Sequence, residues 1–293
     1  MKKTLLCFLM IAGLVNANAQ WSQVNISLVD ISVGSETNIV GVDNTNTITG
    51  NSGNLVQYIS TSDAWAYATT EMGSLATITH ASIAEDGTIW YRREANPGVL
   101  NLYRKSAEEG IFTLLNGHLT TISCASECLA VGSFLTGADN IYSTTCAPVT
   151  FALSNPNYSS SYSAVASDGT LVAISSQNSN GYISVGGAAF TIISPNMNLP
   201  ITHIAVGDAN KVVAVARVIY TSKSGSKLDC QDNSAPDNVI KASVAADGTM
   251  ALLTEGTNNL YFNHWDNVFC YVPAVILLTD SYVTTCAGGS FTA

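Results

Sequence analysis

Ala164-Val165-Ala166-Ser167-Asp168-Gly169-Thr170, running into Leu171-Val172-Ala173-Ile174, is one copy of a pattern that recurs along the chain. Its heart is a tripeptide: Ser or Ala, then an apolar residue, then Gly or Ala. The same tripeptide occurs as Ser32-Val33-Gly34, Ser82-Ile83-Ala84, Ser123-Cys124-Ala125, Ala205-Val206-Gly207 and Ser243-Val244-Ala245. The central residues fall at 33, 83, 124, 165, 206 and 244, with spacings of 50, 41, 41, 41 and 38. A match to so short a tripeptide is cheap, but a near-constant period of about 40 residues marks a repeat architecture.

Flanking residues keep the same phase. An acid follows each centre, at Glu36, Asp86, Glu127, Asp168, Asp208 and Asp247, and three of these begin Asp-Gly-Thr. Asp-Gly between apolar runs predicts a tight hairpin, with both residues tolerating positive φ. An apolar run comes next, then a polar loop, then a second apolar pair such as Ile141-Tyr142 or Leu260-Tyr261. Most copies close with an aromatic-led strand at Trp65, Phe112, Phe151 or Phe190. Each copy reads as four short strands, and no stretch carries a sustained 3.6-residue apolar period. One such unit cannot bury a core alone. Six arranged radially can, with small residues where wedge-shaped blades crowd the axis. A sandwich or β-solenoid would not need the 41-residue phase. The expected fold is all-β, a six-bladed β-propeller of four-stranded blades with the ring closed by strand exchange between the chain ends. Either residues 21–24 or residues 265–268 could supply the closing strand.

The N-terminus reads as a secretory signal peptide over residues 1–19. Lys2 and Lys3 precede an apolar run at residues 5–15, and Ala17-Asn18-Ala19 is a small-x-small cleavage site. The propeller then spans 20–263, with a C-terminal extension at 264–293 packed on it. No later apolar run is long enough to span a membrane. The expected product is secreted and not membrane-spanning. Six cysteines remain after the signal (Cys124, Cys128, Cys146, Cys230, Cys270 and Cys286), and an even count in an exported chain makes them disulfide candidates. Loss of the signal lowers Lys plus Arg from 11 to 9 against 21 acids, a net charge of about −12, which argues against nucleic acid as a partner. Asn25-Ile26-Ser27 and Asn157-Tyr158-Ser159 are glycosylation sequons.

Trp21-Ser22-Gln23-Val24, Leu28-Val29-Asp30-Ile31-Ser32-Val33-Gly34 and Ile39-Val40-Gly41-Val42-Asp43-Asn44 together resemble a tectonin repeat. So does the stretch from Ser243 to Thr249 with Asn259-Leu260-Tyr261. The resemblance covers residues 21–263. It implies a six-bladed propeller lectin of the tectonin, horseshoe-crab and fish-egg kind, which binds glycans and is not an enzyme, and whose phase favours residues 21–24 as the closing strand. This chain departs from the pattern in strand b, where only Trp90 supplies the usual tryptophan and Val40 and Val172 replace it elsewhere.

No Gly-x-Ser-x-Gly, His-Glu-x-x-His or P-loop motif is present. No catalytic set, metal site or cofactor is therefore expected. Three residues before each centre stand Asp30, His80, Thr121, Tyr162, His203 and Lys241, which six-fold symmetry would place around one channel mouth as a polar ring. The phased acids are expected to cap their own turns. Asn-containing loops after the second strand of five copies suggest a glycan face, with amides for paired hydroxyls and rings for sugar C–H faces. Its candidate residues are Asn44, Asn46, Trp90, Tyr91, Asn140, Asn178, Tyr182 and Asn258. The expected function is a secreted lectin for microbial or cell-surface glycans, with avidity from repeated sites. The alternative is a structural component of an extracellular coat or filament, a homo-oligomeric assembly suggested by the low charge and the apolar tail at 272–278.

Overall fold

The computed structural model describes residues 21–43, 53–68, 77–96, 99–115, 119–133, 140–146, 149–193, 200–216, 218–222, 228, 230–232, 234–256 and 258–268, with short strands at 277–279, 282–284 and 290–291. It is all-β, in sheets whose four-strand units fit a propeller.

The first unit runs from β1 (Ser22–Val33) through β2 (Ile39–Asp43) and β3 (Asn54–Ile59) to β4 (Ala64–Tyr67). The second is β5 (Thr77–Ile83), β6 (Ile89–Asn96), β7 (Val99–Lys105) and β8 (Thr113–Leu115). Next come β9 (Ser123–Cys124), β10 (Ala130–Ser133), β11 (Asn140–Cys146) and the long β12 (Val149–Val165). The start of β12 pairs with β11, and its end pairs with β13 (Leu171–Ser175), which continues to β14 (Gly181–Ser184) and β15 (Thr191–Ile192). A further sheet holds β16 (His203–Asp208), β17 (Lys211–Val215), β18 (Ile219–Thr221) and β19 (Cys230–Asp232). The last repeat is β20 (Val239–Val244), β21 (Thr249–Thr254) and β22 (Asn259–His264). Its outer strand β22 is paired from the other end of the sequence: Ser22, Gln23 and Val24 of β1 lie antiparallel to Phe262, Tyr261 and Leu260. Three short strands, β23 (Leu277–Thr279), β24 (Tyr282–Thr284) and β25 (Ser290–Phe291), form their own sheet.

Each centre tripeptide ends the first strand of its unit. These inner strands touch in the order β1, β5, β9, β12, β16 and β20, and β20 touches β1. The sheets bury both faces against their neighbours, so β2 and β13 are buried at every position. Apolar clusters fill the gaps between adjacent units. One joins Val33, Ile39 and Val56 to Ala251 and Leu253, across the two chain ends. Trp21 and Trp265 share another, and the Trp21 indole N–H donates to Asp232 Oδ2 at 3.2 Å. Trp265 itself lies in a single 3₁₀ turn and in no strand.

The repeat's small residues have two reasons. At the glycines, space decides: a Cβ on Gly34 would lie 2.2 Å from the Ala84 carbonyl oxygen, and one on Gly207 2.3 Å from that of Ala245. At the serines, hydrogen bonding decides. Ser32 Oγ accepts the Ile83 N–H at 3.1 Å, Ser82 Oγ the Cys124 N–H at 2.9 Å, Ser123 Oγ the Val165 N–H at 3.2 Å, and Ser243 Oγ the Val33 N–H at 2.9 Å. Each hydroxyl thus pins the next unit's inner strand to its own. Ala164 and Ala205 replace serine at the other two junctions.

The Asp-Gly hairpins differ from the expected two-residue turn. Gly87, Gly169 and Gly248 have φ of +86°, +81° and +96°, but their aspartates are not in that region. Gly87 N–H bonds the Ala84 carbonyl and Ala84 N–H the Thr88 carbonyl, and the other two copies repeat this. That is a three-residue loop, a type I turn followed by a left-handed glycine.

Candidate functional site

The six residues placed three before each centre do meet at one end of the inner strands. Asp30 and Lys241 form an ion pair at 2.8 Å between the first and last units. Asp30 is 5% exposed and also accepts the Ile31 and Ala81 N–H groups, both at 3.0 Å. Tyr162 and His203 lie ring against ring, 4.4 Å between centroids. His203 Nδ1 faces the Ala242 N–H at 3.4 Å, and Thr121 Oγ1 accepts the Ser133 N–H at 3.2 Å.

The backbone is built to aim them. Where β1 meets β2, the register slips between Leu28 and Asp30. It slips between Ile78 and His80 in β5, between Ser160 and Tyr162 in β12, and between Val239 and Lys241 in β20. Four inner strands therefore carry a bulge at the same step, immediately before the mouth residue. A bulge sacrifices ladder pairing and redirects a side chain, and bulges gather beside functional sites.

One cation escaped the sequence reading. Arg92 sits directly across from His80 in the β5–β6 ladder. Its Nε donates to Thr79 Oγ1 at 2.7 Å, and its Nη1 donates to the Thr120 carbonyl of the next unit. The available signal was the pair Arg92-Arg93 in a chain with only 11 basic residues.

Burial and the local charges set the protonation. Burial alone would raise the Asp30 carboxyl, but Lys241, His80 and the hydrogen bonds it accepts hold it below its usual 3.8. Burial drives His80 down to about 4 against the pull of Asp30, with Lys241 and Arg92 adding to the drop. Burial likewise takes His203 to about 3, helped by Lys241 and opposed by Asp30. Tyr162 is pushed up by burial and by Asp30. Burial also lowers Arg92, against the pull of the Asp30 and Glu94 carboxylates. At neutral pH the two imidazoles of the mouth are therefore neutral and Asp30 is a carboxylate.

Below the mouth, the inner strands enclose a cavity of about 50 Å³ lined by Asp30, His80, Ser82, Cys124 and Tyr162 among others. That is room for a few waters, whereas metabolite pockets run to roughly 300–1,000 Å³. Cys124 is a free, buried thiol pushed up to about 12 by burial. This corrects its assignment as a disulfide candidate. Cys128 and Cys230 are disulfide-bonded, as expected of them, while the side chains of Cys146, Cys270 and Cys286 lie outside the described residues. Among the described residues no group of three His, Cys, Asp or Glu side chains converges as a metal site.

The phased acids gather at the opposite end and serve turns, as expected. Asp247 Oδ1 accepts the Thr249 N–H at 2.8 Å, and its Oδ2 accepts the Glu36 N–H of the first unit at 2.7 Å. Asp168 caps Thr170 and reaches the Ala209 N–H of the next unit at 3.0 Å. Ser167 Oγ donates to Glu85 Oε2 at 3.3 Å, which links the fourth unit to the second across this end.

The glycan candidates do not assemble. Trp90 is 0% exposed within an apolar cluster, and Tyr91 is 2% exposed, stacked on Tyr103 at 4.9 Å and edge-on to Phe112 at 4.8 Å. Neither ring can offer a face to a sugar. Tyr182 is half-buried in β14, Asn178 Oδ1 accepts the Asn180 N–H of its own turn, and Asn258 holds a left-handed backbone at φ +49°. Asn44, Asn46 and the side chains of Asn140 and Asn157 lie outside the described residues, while Asn25 is exposed on β1.

No family model and no curated protein matches this chain. Solved structures do. YCF48 bound to a D1 peptide matches at 12% identity and TM-score 0.52, over 92% of this chain and 94% of that one. A gluconolactonase from Xanthomonas campestris matches at 9% identity and TM-score 0.57, over 85% and 88%. The Cps50 (Swd1) β-propeller domain of Myceliophteria thermophila matches at 8% and 0.50, over 82% and 98%. At such identities the likeness is one of fold. None of these is tectonin-type or a secreted lectin, and with Trp90 and Tyr91 buried the expectation of a glycan-binding lectin is overturned. Among the described residues no helix is long and apolar enough to cross a membrane. The chain is similar to β-propellers in fold, and its convergent polar chemistry sits at one end of the inner strands.

Proposed function

We propose that this chain is an exported, non-enzymatic scaffold, a six-bladed propeller that grips a polypeptide segment at the bulged, polar mouth of its central cavity. Residues 22–24 act as the outermost strand of the last blade and close the ring. The β1–β22 pairing and the Ser243–Val33 bond support that closure. The observation that carries the reading is the shared bulge before Asp30, His80, Tyr162 and Lys241, since four strands give up pairing at one step to aim polar groups at one place. The cavity beneath is too small for a metabolite, so a ligand must lie across the mouth and insert no more than a side chain.

The titratable groups argue against acid–base or nucleophilic work. A catalytic base is useful near the operating pH, yet His80 and His203 are driven to about 4 and about 3, and the Cys124 thiol to about 12. A protein partner is favoured by one neighbour of the same fold, which is bound to a peptide. The test is an array of random dodecapeptides probed with the chain from residue 20 onward. Micromolar binding of a subset, lost in Tyr162→Ala, is expected. A folded sample that binds no peptide overturns the proposal.

A further inference from the structure

Cys124 is a free thiol turned toward the second unit, where its Sγ donates to Ser82 Oγ at 3.4 Å. Cys128 and Cys230 are disulfide-bonded. They are not bonded to each other. Cys128 lies in the a–b turn of the third unit, between β9 and β10. Cys230 lies on the outermost strand of the fifth, in a cluster with Trp21, Val213, Ile219, Trp265 and Val268 that holds no residue of the third. A disulfide needs Cα atoms ~4.4–6.8 Å apart, and two such places cannot meet that. In the chain from residue 20 their partners therefore come from Cys146, Cys270 and Cys286, three thiols for two bonds.

The ladder chooses the first partner. β10 and β11 pair Val131 with Ser143, Gly132 with Tyr142 and Ser133 with Ile141. Carried on in the same register, Ala130 faces Thr144 and Cys128 faces Cys146. The Thr144 hydroxyl keeps the two backbones side by side past the last ladder pair: Oγ1 accepts the Ala130 N–H and donates to the Cys128 carbonyl, both at 2.8 Å. β11 is still extended at Cys146, which pairs onward with Val149 of β12. Directly opposed residues of antiparallel strands have Cα atoms ~4.5 or ~5.5 Å apart, inside the disulfide range. Reach chooses the second partner. Val268 and Cys230 share one cluster, and Cys270, two residues on, is within about 7 Å of Val268. Cys286 is 18 residues from Val268.

We propose that Cys128 is bonded to Cys146 and Cys230 to Cys270, with Cys286 left as the odd thiol. Each bond forms with loss of two protons and two electrons from a pair of thiols. A disulfide-bearing oxidant of the export compartment takes up the electrons and leaves as a dithiol. The first bond clips β10 to β11 in the third unit, whose inner strand β9 is only two residues long. It also fixes the turn that carries Glu127, the partner of Arg104 in the second unit at 3.2 Å. The second bond fastens the C-terminal extension to β19, whose Asp232 already accepts the Trp21 indole N–H. That one strand then holds both ends of the folded chain. Cys124 stays out of exchange, because burial pushes its thiol up to about 12.

The experiment uses the full chain from residue 20, made in an oxidising compartment and blocked with N-ethylmaleimide without reduction. A protease that cuts after Asp and Glu places each of the six cysteines on its own peptide for mass spectrometry. The expected cross-linked peptides join Cys128 to Cys146 and Cys230 to Cys270. Cys286 should carry the maleimide in the native chain, and Cys124 only after unfolding. A link between the Cys286 residues of two copies also supports the map, since only the odd thiol is free to make it. Cys146→Ser should expose Cys128 to the maleimide and lower Tm by at least ~5 °C. If that variant does not fold, the unsubstituted chain decides alone. Cys128 linked to any residue but Cys146, or left as a thiol, overturns the first bond. Cys230 linked to Cys286 overturns the second and leaves the first standing.

Discussion

Replacing Lys241 with methionine isolates the pair on which the mouth is built. The ammonium is 2.8 Å from Asp30 Oδ1, with the lysine side chain 20% and the aspartate side chain 8% exposed. Methionine keeps the aliphatic stem and removes the charge. Asp30 then retains the Ile31 and Ala81 N–H bonds but faces no cation at contact. Removing one member of a buried pair costs ~3–5 kcal/mol. Water reaches the lysine end, which brings the cost to the bottom of that range or just below it, ~2–3 kcal/mol. Protonation of Asp30 limits the loss, by ~1.4 kcal/mol for each pH unit the solution lies below its new pKa. The deficit at pH 7 should therefore shrink toward pH 4. The Asp30→Asn, Lys241→Met double variant leaves no stranded charge and should recover more than half of the loss. Urea unfolding followed by far-ultraviolet circular dichroism measures all three chains. A single variant that loses under ~1 kcal/mol, or a double variant no more stable than the single, would refute a buried, mutually dependent pair.

Stability should fall as pH drops from about 6.5 toward 4, because unfolded histidines take up protons near 6.5 while His80 and His203 do so only at about 4 and about 3. The unfolded state binds up to two more protons in that window, a slope of up to ~2.7 kcal/mol per pH unit. His203→Gln should roughly halve it, and a flat profile in urea unfolding would contradict the burial of both rings. Ser243→Ala strands the Val33 N–H between the chain ends and should cost ~1–3 kcal/mol by the same assay. Gly34→Ala drives a Cβ to 2.2 Å from the Ala84 carbonyl oxygen and should cost at least ~1–3 kcal/mol, visible as a lowered Tm. The Cys124 thiol should resist iodoacetamide at pH 8 in the native chain and react on unfolding, as mass spectrometry of its peptide would record.

The period of the tripeptide was legible, and with it the strand count per unit and the phase of the mouth. Asp30, His80, Thr121, Tyr162, His203 and Lys241 follow from counting back three residues from each centre. Their interactions did not follow. Asp30 and Lys241 are 211 residues apart and meet only because the chain ends meet. The bulges before them leave no mark in hydrophobic alternation, because strands packed on both faces read as continuous apolar runs. The same double-sided packing explains Trp90 and Tyr91. On a half-exposed sheet one of two adjacent rings would face solvent, but here Ile89, Trp90 and Tyr91 are all buried. The serines were read as merely small, since a hydroxyl's partner across a junction is a tertiary fact.

The central claim is that a polypeptide lies across the bulged mouth, and amide chemical-shift mapping tests it most directly. The chain from residue 20, labelled with ¹⁵N, would be titrated with a peptide selected from the array. The account predicts that shifts concentrate at Asp30, Ala81, Arg92, Thr121, Tyr162, His203 and Ala242. Shifts confined to the acidic turns at Glu36, Asp168 and Asp247, or to outer strands such as β8 and β15, would contradict it.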